Sequence, residues 1–79
     1  MSQYRLNIYG DVYLEDYSEI NDYIELIEPG DKFLVTFDNV NKNNMDIILT
    51  MLKEKRCTIL STKEEQDRKI VLGFIKKYN

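Results

Sequence analysis

Histidine is absent from this chain of 79 residues, and cysteine occurs once, as Cys57. Without histidine the commonest general base is gone, and with it the Ser/His/Asp and Cys/His arrangements and most zinc sites. One cysteine cannot close an internal disulfide and supplies no metal-ligand spacing, which fits a reducing compartment. No apolar run approaches the roughly 20 residues that span a bilayer, and the opening MSQYRLNIYG has neither the basic start nor the apolar stretch of a signal peptide. A cytoplasmic protein with no membrane association is expected. With one Pro, three Gly and no low-complexity run, residues 1–79 read as a single globular domain. A chain of this length buries roughly 60% of the surface its unfolded form exposes, a core with little margin.

Basic residues are also missing between Arg5 and Lys32, while Asp11, Glu15, Asp16, Glu19, Asp22, Glu25, Glu28 and Asp31 all fall in that interval. Bases concentrate later, at Lys53, Lys55, Arg56, Lys63, Arg68, Lys69, Lys76 and Lys77, partly offset by Glu54, Glu64, Glu65 and Asp67. Nucleic-acid binding relies on clustered Lys and Arg that displace counterions from phosphate. A net charge of -3 and a pI near 4.8 argue against it for the molecule as a whole.

What is present is a clear alternation of periods. Tyr4, Leu6 and Ile8 alternate with Arg5, Asn7 and Tyr9, the period-two pattern of a half-buried strand that Gly10 ends. From Tyr17 the spacing becomes helical: Tyr17, Ile20, Tyr23, Ile24 and Ile27 share a stripe, with Glu19, Asp22 and Glu25 pointing away. Asp16 followed by Glu19 predicts a capping box, with the helix starting near Asp16. Pro29-Gly30-Asp31 stops it. Lys32 to Asp38 predicts a second strand, and Asn39 to Asn44 a polar loop whose last residues cap a second helix. Met45, Ile48, Leu49 and Leu52 give that helix its stripe, and it runs to about Arg56. Cys57 to Thr62, a charged turn over Lys63 to Asp67, and Arg68 to Lys76 predict a hairpin.

The resulting order, βαβαββ, predicts an α+β fold: a two-layer α/β sandwich with a four-stranded mixed sheet and both helices on one face. Arg5, Asn7 and Thr36 suit the uncovered side, with Leu34 and the run Ile70-Val71-Leu72 as apolar exceptions that could mark a partner.

Over nearly its whole length the chain resembles the TusA/SirA-like sulfur-carrier family. Gly10 closing the first strand, the segment IEPGDKFLVTFDN, and the interval between Gly10 and Pro29-Gly30 carry the resemblance. Family members place a Cys-Pro-x-Pro segment shortly after the glycine, and its Cys carries a persulfide at the start of the first helix. Tyr13, Leu14, Glu15 and Asp16 stand there instead, so the chain reads as a degenerate member and the family's sulfur transfer is not carried over. Glu15, Asp16 and Glu19 would occupy the positive end of the helix and repel an added anion.

The candidate binding residues are accordingly Tyr9, Asp11, Tyr13, Glu15 and Asp16, an aromatic and acidic set suited to a basic protein partner. Tyr4, Tyr17 and Tyr23 are expected to pack into the core. Asp11, Glu15, Asp16 and Glu19 do not match the spacing of a cation loop, so no metal and no cofactor is expected. Cys57 is a weak catalytic candidate. It reads either as a small apolar residue opening the third strand or as a replacement nucleophile beside Lys55 and Arg56.

Three functions follow. The first is a non-catalytic, TusA-like protein-interaction or regulatory module, which binds a protein partner or self-associates through its exposed sheet. The second is an atypical sulfur carrier using Cys57. The third is a nucleic-acid-binding domain, since the element order is similar to that of Alba proteins and of the C-terminal domain of translation initiation factor three. That third reading requires Lys42, Arg68, Lys69, Lys76 and Lys77 to gather on one face.

Overall fold

The first strand, β1, spans Gln3–Asp11, with Ile8 buried and Leu6 half-buried between exposed Arg5, Asn7 and Tyr9. It passes through Gly10 rather than ending there. Gly10 has φ +71°, a region that glycine enters without penalty. Ile8 lies opposite Phe37 but Asp11 lies opposite Asn39, so Tyr9 and Gly10 together oppose Asp38 in a bulge. The structure, a computed structural model, describes residues 2–65 and 69–77.

Helix α1 spans Leu14–Leu26, starting two residues before Asp16. Tyr13 is the cap, and Asp16 sits on the third helical residue, from which its carboxylate reaches back to the Tyr13 amide. The cap is therefore closed by the residue expected to begin it. At the far end Ile27 leaves the helix with its N–H on Tyr23 O at 3.0 Å, and Gly30, at φ +92°, turns the chain into β2, Lys32–Asn39.

Helix α2 spans Lys42–Glu54 and likewise starts early, because Asn41 and Asn44 cap each other's amides at 2.8 and 3.3 Å. Arg56 is not its last turn. With φ 60° it adopts the left-handed conformation that ends helices, its N–H on Lys53 O, and reverses the chain into β3, Cys57–Glu64. Strand β3 continues two residues past Thr62. The Glu65 N–H donates to Lys69 O at 2.9 Å, and β4 spans Ile70–Lys76. Asp67 and Arg68, assigned to the turn and strand by the sequence, lie outside the described residues.

The sheet order is β1-β2-β4-β3, with β1 parallel to β2 and β4 antiparallel to both its neighbours. Crossovers between parallel strands are right-handed. Both crossovers here, β1 to β2 and β2 to β3, step the same way across the sheet, so α1 and α2 cover one face. Burial follows: Phe33, Val35 and Phe37 are fully enclosed, while Lys32, Leu34 and Thr36 between them are half-buried. On β4, Ile70 and Leu72 face the helices with Phe37 and Val35, so of the predicted apolar run only Val71 joins Leu34 and Ile75 on the open side. Tyr4 is not core. At 39% exposure it stacks on Phe33, 6.4 Å between centroids, because β1 is an edge strand and solvent reaches its other face.

Candidate functional site

The N-termini of both helices and the C-terminal ends of both parallel strands meet at one end of the sheet, where open α/β sheets form crevices. Asp11, Val12, Tyr13, Asn39, Asn41 and Asn44 line a depression of about 380 Å³ there. The Asn39 side-chain amide donates to the Asp11 carboxylate, and Asn44 Nδ2 donates to Tyr17 Oη at 2.6 Å. Tyr17 is thus half-buried and joins the two helices across their first turns.

The free amides of α1 are partly consumed. Asp16 Oδ2 accepts from Tyr13 N at 2.7 Å, and Asp16 N donates to Tyr13 O at 3.0 Å. Glu15 is exposed beside it. Helix amides of this kind bind anions when left open. Here a carboxylate from the same helix holds the Tyr13 amide and places negative charge at the helix start, which disfavours an added anion.

The sequence-derived residues divide. Asp11 and Tyr13 share the depression, Asp16 belongs to the cap, and Glu15 faces solvent. Tyr9 lies apart, lining a second depression of about 230 Å³ with Asn7, Ile8, Thr36, Asp38 and Lys69. What the end presents most openly is apolar: Tyr9 is 79% exposed, Tyr13 59% and Leu14 81%. Leu14 and the asparagines were missed. The asparagine-rich run Asn39 to Asn44 was their signal, read as loop rather than as half of a site.

Cys57 is elsewhere. Strand β3 runs parallel to β1, so its first residue lies at the opposite end of the sheet from the start of α1. The thiol is buried, with Sγ 3.9 Å from Lys55 O, and burial pushes its pKa up, only partly opposed by the charge of Lys76. A protonated thiol is a poor nucleophile.

The basic residues do not gather either. Lys42 and Lys69 lie at the tyrosine-bearing end and Lys76 and Lys77 at the other, while Arg68 is outside the described residues. Among the described residues no group of three or more His, Cys, Asp or Glu is arranged to hold a metal ion, and no helix is long and apolar enough to cross a membrane. No protein-family model, curated protein or solved structure matches the chain.

Proposed function

We propose that this is a non-catalytic, cytoplasmic protein-interaction or regulatory module of TusA-like design, which binds a basic segment of a partner protein at the end carrying Tyr9, Tyr13 and Leu14. The observation that carries the reading is the exposure of Tyr13 and Leu14 beside Asp11 and Glu15, with Tyr9 exposed at the neighbouring depression. Tyrosine rings and carboxylates side by side suit arginine and lysine, which stack on the one and pair with the other. Tyrosine is also enriched where interfaces concentrate their energy. In the proposed relation to the sulfur carriers, Tyr13 stands where their persulfide-bearing residue would be, so a docking role replaces the chemical one.

The test is an NMR titration with a short arginine-rich peptide at low salt. Saturable shifts confined to Tyr9 through Glu15, lost in the Tyr13→Ala/Leu14→Ala double variant, are expected. Shifts spread evenly over every exposed carboxylate, or none that saturate, would overturn the reading.

A further inference from the structure

We propose that β3 is a self-pairing edge, and that two copies of the chain join β3 to β3, antiparallel about a two-fold axis, to make one continuous sheet. This surface is separate from the tyrosine-bearing end and does not depend on what binds there.

Strand β3 closes one side of the sheet and is eight residues long, so among the described residues one side of its backbone pairs with no other strand. Its first six residues, Cys57-Thr58-Ile59-Leu60-Ser61-Thr62, contain no charge, proline or glycine. From Ile59 onward every residue is exposed, Ile59 at 40% and Leu60 at 49%. An uncharged, β-prone, partly apolar edge is a template for another strand.

The charges at its two ends select a second copy as that strand. Lys53, Lys55 and Arg56 precede β3, with Glu54 as the exception, and Glu64 and Glu65 close it after Lys63. Centred on Leu60, antiparallel pairing sets Cys57 opposite Lys63 of the second copy, so the basic turn Lys55-Arg56 that leads into β3 comes to the end of the pairing where the second copy's Glu64 and Glu65 lie. Symmetry makes each approach twice. Lys55 also holds Glu25 at 2.7 Å on the exposed helix flank, so it serves as a shared donor. A parallel pairing would stack like charge on like charge. Leu60 itself has no partner on β4, because the register skips from Ile59 opposite Phe74 to Ser61 opposite Gly73. That bulge adds twist at the centre of the pairing, and because the two-fold contact uses the same edge in both copies it closes as a pair and not as an open-ended ribbon.

Sedimentation equilibrium of the intact chain over a concentration series tests this, with amide exchange to locate the contact. A monomer–dimer equilibrium is expected, with β3 amides protected as concentration rises. Leu60→Lys should raise the dimer dissociation constant about tenfold or more, since two like charges then meet near the axis. Thr62→Lys is the second variant, used if Leu60→Lys alters the monomer's NMR spectrum, and is expected to weaken the dimer in the same sense. A monomer at every concentration overturns the proposal. So does a dimer indifferent to the substitution, one whose protected amides lie elsewhere, or open-ended aggregation in place of a pair.

Discussion

At the end of the sheet where β1 begins, Asp31 is 7% exposed and its two oxygens accept from Ser2 N at 3.0 Å and Glu28 N at 2.9 Å. Lys76 Nζ there donates to Ile24 O at 3.0 Å and Ile27 O at 3.2 Å, the carbonyls that α1 leaves unbonded as it ends. At the other end the carboxylates of Asp11 and Glu15 face solvent beside three exposed apolar side chains. Carboxylates hold backbone at both ends, Asp16 doing so at the second, but only the first end buries its carboxylate, and the second leaves further charge and apolar surface outward. In a small domain with little core to spare, surface of the second kind contributes little to the fold and is free to serve recognition.

The contrast is broken most severely through Phe33. Its ring is fully enclosed, lies 5.3 Å from both Phe74 and Tyr23, and carries Tyr4 on its outer side. Phe33→Ala is expected to cost about 3–5 kcal/mol, most of what a domain of this size holds. Tyr13→Ala, at the open end, should stay within about 0.5 kcal/mol. Urea unfolding of both variants measures the difference, and comparable losses would mean that the two ends share one structural role.

A smaller effect isolates the lysine. Lys76→Met keeps the aliphatic stem and removes the charge that meets the last carbonyls of α1. A loss of about 1–2 kcal/mol is expected from the missing charged hydrogen bonds and their favourable placement at the helix's negative end. A second readout follows from Cys57, whose buried thiol has Lys76 as the charge opposing its rise in pKa. Alkylation of Cys57 in the folded variant should be slower than in the parent chain. Faster alkylation would mean that the substitution had opened the site rather than only removed a charge.

The contrast itself was only half legible in the sequence. Element order and the helix-facing residues of β2 followed from period alone, because burial on one face leaves Phe33, Val35 and Phe37 no other register. The helices start earlier than the spacing predicts, α1 two residues before Asp16 and α2 inside the expected loop, at Lys42. Asp16 and Asn44 both act from the third helical position back onto the cap, and a polar residue near a boundary reads equally well in either role. Asp31 and Lys76 carried no local pattern at all. One looks like a turn residue and the other like a surface lysine at the end of a strand. Besides Glu28, three residues before it, Asp31 holds Ser2, 29 residues away, and the partners of Lys76 lie 49 and 52 residues away, separations that only the closed fold brings together. The open end was found through its aromatics, but the contribution of Asn39 to Asn44 depends on the parallel pairing of β1 with β2, which spacing does not reveal.

A milder perturbation than the loss of Lys76 acts on Asp31. The Ser2 amide first, and then the Glu28 amide, hold its carboxyl below the ordinary aspartate range, against the opposing effect of burial. The unfolded chain therefore takes up this proton before the folded one does. The stability that Asp31 supplies is complete above the ordinary aspartate range and falls away as pH drops through the lowered folded value. Asp31→Asn keeps one acceptor oxygen for one of the two amides but turns an NH2 toward the other, so at neutral pH it should weaken the fold less than Phe33→Ala or Lys76→Met. Its mark is the pH profile. The difference between the parent chain and the variant in urea unfolding should be widest near neutrality and shrink as the parent's carboxyl becomes protonated. A difference that stays constant down through the acid range would show that Asp31 acts by shape and not by its charge.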